Sequence, residues 1–306
     1  MQVSIAYMAV LLIWSTTPLG IVWSSESIPP SLAVMLRMTL AVVLGCLIIF
    51  IRKIDLPMHK QALRLYAFSA IGIFGGMSFT YLSAQYIPSG VISLVFGLSP
   101  AFSALLTSKI LNEPELSMTR KLAILLSFIG LGIVCANNVS FSSDSIYGYV
   151  FVLIAVILFS LSGVLVKSIT LVIHPMATTV GALVFSLPLF ILNWFLLDGS
   201  MNISEWELKS LLATVYLGVF GSLIGFFAYF FVLQKLTAST VALITLVTPV
   251  IAITLGSIFN NEKIHVQLII GALLIILGLA VYYWGENFIK KHQEKWLFNK
   301  KNIKNP

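Results

Sequence analysis

The chain has 306 residues, of which 59% are hydrophobic and only 9% are charged. Because soluble domains carry about 25% charged residues, this composition excludes an ordinary water-soluble domain and indicates a chain that lies mainly in lipid. A formal net charge of +7 would point to nucleic acid in a soluble protein. In a membrane protein, however, basic residues collect on the cytoplasmic side, so no nucleic-acid partner is predicted.

Ten apolar runs follow one another along the chain, each close to the roughly 20 residues that a helix needs to cross the hydrocarbon core. They predict an all-α membrane protein with ten transmembrane helices. Turn and charge signals separate the runs: Pro29-Pro30 precedes the second and Arg52-Lys53 closes it. The runs cover residues 4–24, 31–51, 64–84, 89–111, 121–138, 146–167, 175–197, 210–233, 238–259 and 266–285.

Lysine and arginine give the chain an orientation. With the N-terminus inside, 15 of the 18 basic residues fall on cytoplasmic segments, Lys209 and Lys263 fall outside, and Arg37 lies within a run. This asymmetry predicts that both termini are cytoplasmic. The tail at residues 288–306 holds six of these lysines. Its expected partner is anionic lipid, which attracts a basic residue near the surface by about 1 kcal/mol.

The chain contains an internal repeat. A shift of 149 positions pairs identical residues, in the same order, between the third and fourth runs and the eighth and ninth. These pairs are Gly72 and Gly221, Gly76 and Gly225, Gln85 and Gln234, Leu94 and Leu243, Pro100 and Pro249, and Asn112-Glu113 and Asn261-Glu262. Near the start, a shift of 145 pairs Trp14-Ser15 with Phe159-Ser160.

The repeat divides the chain into residues 1–139 and residues 140–287, with five runs in each half. Because five is odd, the second half enters the membrane from the opposite side, which predicts two inverted five-helix repeats. An inverted repeat lets one site face either side of the membrane by rocking between two related states. The organisation of the sequence therefore indicates transport.

These residues resemble the EamA-domain branch of the drug/metabolite transporter superfamily. The resemblance covers nearly the whole chain and is strongest at residues 81–132 and 229–278. Each stretch has a mid-run proline, a terminal glutamate and a later glycine. Trp14, Pro30 and Arg37 also fit the pattern of the first half, although the seventh run has no arginine matching Arg37.

The resemblance implies ten spans around a central cavity lined mainly by spans 1, 3, 4, 6, 8 and 9. It also implies that small polar metabolites cross the bacterial inner membrane, often as exported amino acids. It implies no single substrate.

Several polar and aromatic residues are candidates for the cavity. An aromatic plane with neighbouring hydroxyls suits a small amphipathic ligand, although packing and hydrogen bonding within the helix explain the same pattern. Tyrosines near span ends also occur as interfacial belts. The candidates are Trp14, Ser15, Thr16, Tyr81, Gln85, Ser99, Phe159, Ser160, Tyr229, Gln234 and Thr248.

Arg37 is a further candidate, because it lies roughly 9 Å from the outer end of its span at 1.5 Å per residue. An arginine at that depth is costly unless it is paired or hydrated. Its planar fork would bind a substrate carboxylate. The alternative is a side chain that reaches back to the outer headgroups.

Two further pairs are expected to be structural or to act as hinges. Pro100 and Pro249 fall near the middle of the fourth and ninth runs, where each proline removes a backbone hydrogen bond and favours a kink. Glu113 and Glu262 fall at the ends of the same runs and suit helix-to-helix hydrogen bonding. No Asp or Glu lies within any apolar run, which weakens a proton-antiport mechanism and favours exchange or facilitated diffusion.

Other function classes remain as alternatives. A drug or lipid-carrier translocator of the same superfamily would share the fold, and a lipid carrier would need a cavity open sideways to lipid. An intramembrane enzyme is disfavoured, because the sequence has no H-E-x-x-H motif, no G-x-S-x-G motif and no pair of carboxylates within a run. No metal or cofactor is predicted, and a monomer and an oligomer stay equally open.

Overall fold

The computed structural model describes residues 2–111, 116–139, 144–236 and 238–303, and only the backbone of residues 136–139, 233, 238–243 and 286–303. Every regular element in these residues is helical. The helices are α1 (Val3–Ser24), α2 (Pro30–Arg52), α3 (Lys60–Ala70 with Met77–Ser83), α4 (Ser89–Phe96 with Ser99–Ile110), α5 (Met118–Val139), α6 (Ser145–Lys167), α7 (Pro175–Leu197), α8 (Leu208–Tyr216 with Gly225–Lys235), α9 (Ala238–Asn260) and α10 (Val266–Ile303).

Within the described part of the chain, nine of these helices are long and apolar enough to cross a membrane. The predicted ninth run falls on α9, whose described apolar part, Ile244–Asn260, is shorter than the others. Most predicted bounds agree within a few residues. The α10 helix differs, because it continues through the basic tail to Ile303 instead of ending near residue 285.

Proline and backbone geometry explain several helix ends. Pro30 and Pro175 each occupy the first turn of a helix, where a missing N–H costs no hydrogen bond. His174 caps α7 by accepting a hydrogen bond at Nδ1 from the backbone N–H of Met176, at 3.2 Å. Lys53 ends α2 in the left-handed conformation.

The two repeat prolines have different surroundings. Pro249 lies inside the continuous helix α9, as the sequence predicts. Pro100 does not, because α4 stops at Phe96 and restarts at Ser99, which places Pro100 in the first turn of a new helical piece. The break at Gly97 lies against α9, since a methyl group added to Gly97 would be 3.6 Å from Pro249 Cγ.

The helices α3 and α8 share another irregularity. Each contains a π-helical segment, Ile71–Gly76 in α3 and Leu217–Ile224 in α8. A shift of 149 positions carries the first onto residues 220–225, so the two segments overlap within the repeat. Such segments are rare in proteins and occur frequently at functional sites.

The glycine-rich faces of α3 and α8 pack on the opposite half of the chain. A methyl group on Gly76 would lie 3.6 Å from Phe159 Cβ on α6, and one on Gly225 would lie 3.6 Å from Trp14 Nε1 on α1. Small residues allow helices to approach this closely. Each half therefore packs a glycine-rich helix on the first helix of the other half: α3 packs on α6, and α8 packs on α1. A cavity forms between these helices.

Large apolar side chains also cover the outer surface of the bundle. Examples are Phe50, with 82% of its surface exposed, and Leu196, with 71%. Such surface fits a hydrocarbon solvent, because a monomer in water rarely exposes apolar patches of this extent.

Candidate functional site

A central cavity of about 100 Å³ lies between the two halves of the chain. Its wall is built by α1, α3, α4, α6, α8 and α9, the six helices that the family resemblance implies. The lining residues are Trp14, Thr17, Pro18, Ile21, Met77, Thr80, Ile92, Ser93, Phe96, Gly97, Ser99, Phe159, Gly221, Phe226, Thr245 and Thr248.

Residues that the repeat makes equivalent line this cavity together. The 145-residue shift relates Trp14 to Phe159, and both line the wall. The 149-residue shift relates three more lining pairs in the same way. These are Met77 and Phe226, Phe96 and Thr245, and Ser99 and Thr248. The cavity thus lies on the internal pseudo-symmetry of the sequence.

Trp14 holds the aromatic part of the wall. Its ring centroid is 4.9 Å from that of Tyr229 and 6.4 Å from that of Phe159, the latter edge to face. Phe159 in turn contacts Phe96 edge to face, with centroids 6.0 Å apart. Edge-to-face pairs are favoured by the ring quadrupoles, so one side of the cavity is a fixed aromatic surface.

The polar part of the wall consists mainly of hydroxyl groups. Ser160 donates a hydrogen bond to the carbonyl of Ser99 at 3.1 Å, which satisfies a backbone group beside the break in α4. Thr17 donates to the carbonyl of Ile13 at 2.7 Å. Its oxygen therefore faces the cavity as an acceptor.

Arg37 lies behind the wall and is completely buried, so its side chain does not reach the headgroups. Its Nε donates to Ser222 Oγ at 3.0 Å, and its Cζ is 5.8 Å from the ring centroid of Tyr81. The atoms Nη1 and Nη2 have no hydrogen-bond partner among the described residues. A buried charged donor left in this state costs more than the roughly 1–3 kcal/mol of a neutral one.

Glu262 ties the two halves together at one end of the bundle. Its carboxylate accepts hydrogen bonds from the backbone N–H groups of Ser89, at 3.0 Å, and Gly90, at 3.2 Å. It also accepts one from Asn260 Nδ2 at 3.2 Å. A carboxylate suits the first turn of α4 because the helix N-terminus carries unpaired N–H groups and partial positive charge. The neighbouring Asn260 accepts a hydrogen bond from Trp23 Nε1 at 3.0 Å.

Four of the residues predicted to bind substrate line the cavity: Trp14, Ser99, Phe159 and Thr248. Tyr81, Tyr229 and Ser160 support it from behind through the contacts given above. Ser15 donates within its own helix to the carbonyl of Leu11 at 2.7 Å.

The remaining predicted residues lie elsewhere. Gln85 is exposed at the end of α3. Gln234 is exposed too, and its Nε2 donates to the carbonyl of Ile173 at 3.1 Å. Thr16 shares a hydrogen bond of 2.5 Å with the hydroxyl of Tyr216 on the far side of α1. Glu113 lies outside the described residues.

Sequence reasoning missed most of the apolar lining. On α1 the signal was present, because Trp14, Thr17, Pro18 and Ile21 recur at the spacing of one helix face. Met77 and Phe96 were missed because their repeat partners, Phe226 and Thr245, are different residue types, so the comparison of the two halves does not single them out.

A wider groove of about 540 Å³ opens on the outer surface of the bundle between α1, α8 and α9. Its walls include Leu212 and Phe259, with 60% and 59% of their surfaces exposed. Lys209 lies in the groove wall, 2.8 Å from Glu26 and 4.9 Å from the ring of Trp23. In the described part of the chain, no group of three or more His, Cys, Asp or Glu residues could hold a metal ion.

The described helices define a multi-pass membrane protein with a cavity that both halves of the chain line. Comparison with known families is more specific, because the EamA-like transporter family matches residues 2–136 and again residues 146–284. The chain belongs to this family.

Curated relatives agree with that assignment. An uncharacterized transporter of Archaeoglobus fulgidus is 27% identical and covers 88% of this chain and 94% of its own length. The uncharacterized transporter YoaV of Bacillus subtilis is 25% identical, with coverages of 91% and 95%. The uncharacterized inner membrane transporter YedA of Escherichia coli is 28% identical, with coverages of 85% and 83%.

A solved crystal structure shares the fold. It is 20% identical, has a TM-score of 0.65, and covers 92% of this chain and 96% of its own. The described helices, the family match and the relatives together make the protein a membrane transporter.

Proposed function

We propose that this transporter moves small polar metabolites, such as amino acids, across the bacterial inner membrane. It exports or exchanges them by alternating access of two inverted five-helix repeats. The observation that carries this proposal is the central cavity, which equivalent residues of the two halves line together. A site on the pseudo-symmetry of an inverted repeat can face either side when one half rocks against the other.

Other observations support parts of this proposal. The family matches the chain in two consecutive stretches, as a duplication requires. The relative from Escherichia coli is named an inner membrane transporter, and the basic residues favour cytoplasmic termini. In that orientation, Glu262 and Asn260 close the outer end, and the lysine-rich tail meets anionic lipid at the inner surface.

The rocking itself needs flexible points in α4 and α9. The break at Gly97 and Leu98 supplies one in α4, and Pro249 supplies one in α9. The two meet beside the cavity, as the distance from Gly97 to Pro249 indicates. Glu262 and Asn260 then act as contacts that must break when α9 moves away from α1 and α4.

The test is transport by the purified protein in liposomes. The vesicles are loaded with one labelled amino acid, nucleoside or sugar at a time, and release is measured with and without unlabelled solute outside. We expect at least one small polar solute to exchange.

A matched pair of variants shows whether the solute crosses through the cavity. Thr248→Phe fills the cavity wall, whereas Thr254→Phe adds the same ring at an exposed position on the same helix. We expect the first to abolish exchange and the second to preserve it. Equal activity in both variants would contradict the proposed path.

The groove between α1, α8 and α9 favours a second candidate, the lipid-carrier translocator, because its exposed walls are open to acyl chains. The same vesicles separate the two functions. Scrambling of a fluorescent lipid without movement of any soluble solute would replace the first proposal with this one.

A further inference from the structure

We infer that Arg37, Thr17 and the space beside Gly221 form a carboxylate subsite in the cavity wall. Substrates would then be small acids that carry a carboxylate beside an N–H or O–H donor, as α-hydroxy and α-amino acids do. This inference rests on the proposed transport function and names the chemistry that its cavity recognises.

Arg37 is fully buried, and both of its Nη atoms lack a hydrogen-bond partner among the described residues. None of the eleven acidic residues of the chain falls within an apolar run. Among the described residues, the buried guanidinium therefore has no fixed counter-ion at its own depth, and an anion that enters the cavity would supply one.

The guanidinium of Arg37 ends beside Gly221 and Thr17. A methyl group built on Gly221 would lie 3.1 Å from Arg37 Nη2 and 3.6 Å from Thr17 Oγ1. Gly221 and Thr17 both line the cavity. The end of the guanidinium therefore faces a space at the cavity wall that exists because residue 221 has no side chain.

A hydrogen-bond acceptor and charged donors border the space beside Gly221. Arg37 offers two terminal nitrogens, whose planar geometry matches a carboxylate. Thr17 uses its proton on the carbonyl of Ile13. Its oxygen is left to accept a hydrogen bond from a group next to the carboxylate. The fork fits a carboxylate and not its amide, whereas the Thr17 oxygen fits the α-hydroxyl or α-amino group that the acid and the amide share.

The rest of the cavity is small and partly aromatic. Its wall includes Trp14, Phe96 and Phe159, and the Phe159 ring contacts both of the others. The cavity volume of about 100 Å³ is well below the roughly 300–1,000 Å³ of pockets for drug-sized ligands. A small acid with a short apolar part fills this space.

The experiment measures binding to the purified full-length protein, through its thermal stabilisation, by matched acid and amide probes. The pairs are L-lactate with L-lactamide, L-alanine with L-alaninamide, and L-phenylalanine with L-phenylalaninamide, all in chloride-free buffer. We expect at least one acid to bind about 10- to 100-fold more tightly than its amide, because a charged hydrogen-bonded pair is lost in the amide.

Variants distinguish a loss of carboxylate recognition from a loss of folding. Arg37→Met should remove the preference for the acid, and Arg37→Lys should keep part of it, because lysine keeps the charge and loses the fork. Gly221→Ala keeps Arg37 and fills the space, so it should weaken acid binding on its own. Gly163→Ala is the matched control, because a methyl group there meets nothing within 4 Å.

Several outcomes would overturn the inference. They are equal binding of acids and amides, binding of none of the acids, an Arg37→Met variant that folds and keeps the preference, and equal occupation of the site by chloride alone. Solutes that exchange in liposomes without any preference for acids would refute the subsite and leave the transport function standing. A protein that binds acids as expected but exchanges no solute would refute the transport function instead.

Discussion

The two halves of the chain pack equivalent helices together, but different side chains lie in the two contacts. In the first, Gly72 of α3 faces Ser162 of α6, and an added methyl group would lie 2.7 Å from Ser162 Cβ. In the second, the equivalent Gly221 of α8 faces Thr17 of α1, but at 3.6 Å, and the nearest atom is Nη2 of Arg37. In both halves a glycine thus lets two helices pack closely. The space beside Gly72 is filled by Ser162, whereas the space beside Gly221 borders the charged end of Arg37.

The source of this asymmetry is one position in the second helix of each half. A shift of 145 positions carries Pro30 onto Pro175 and Arg37 onto Ala182, which is completely buried. Equivalent residues of both halves line the cavity, but only the first half places a buried arginine beside it.

The largest expected effect comes from filling the two glycine positions. Gly72→Ala should lower the free energy of unfolding by about 1–3 kcal/mol, because Ser162 is short and its backbone cannot move aside. Gly221→Ala should cost less, since the end of a long arginine can shift and alanine favours a helix by about 1 kcal/mol. Reversible unfolding in mixed micelles measures both, and equal losses would remove the proposed difference between the halves.

A smaller loss of stability is expected where Glu262 of the second half caps the N-terminus of α4 in the first half. Glu262→Ala should cost about 1–2 kcal/mol, because the first-turn N–H groups of α4 at Ser89 and Gly90 lose their acceptor. Hydrogen exchange at these two amides should become faster. Glu262→Gln keeps one acceptor oxygen and should lose less. Unchanged exchange in the alanine variant would show that this carboxylate does not hold the halves together.

The smallest effect separates two serines that the repeat makes equivalent. Ser160→Ala should cost about 0.5–1.5 kcal/mol, because it removes a hydrogen bond between α6 and α4. Ser15→Ala should be close to neutral, since the Ser15 hydroxyl bonds only within its own helix. The same unfolding measurement applies, and a Ser15 variant as unstable as the Ser160 variant would contradict the assigned contacts.

Much of the fold could be predicted from the sequence, because lipid imposes a simple rule on length and polarity. The runs at residues 175–197 and 89–111 correspond closely to α7 and α4 for this reason. The helical structure of the tail beyond residue 285 could not be predicted, since charged residues end an apolar run but do not end a helix. The π-helical segments were also missed, because a change of one residue per turn leaves hydropathy unchanged.

The candidate site could be predicted only where residue type and repeat agree. Trp14 and Phe159 were found as an aromatic pair at equivalent positions, and both line the cavity. Gln85 and Gln234 are equally good repeat partners but lie exposed near helix ends, because repetition records a shared backbone and does not specify which face a side chain occupies. From the sequence, Gly221 is only the repeat partner of Gly72, and the structure is needed to show that Arg37 lies beside it.

The exchange of contacts between the halves also sets an order of events during synthesis. The face of α3 at Gly72 is completed by Ser162, which follows it by ninety residues in the chain. At about 5–20 residues per second, that partner emerges roughly 5–18 s later. During this interval the glycine face of α3 must be covered by lipid or by the insertion machinery. The first half therefore lacks this packing partner until α6 is made, and a chain cut between residues 139 and 144 should need both fragments in the same membrane to resist proteolysis.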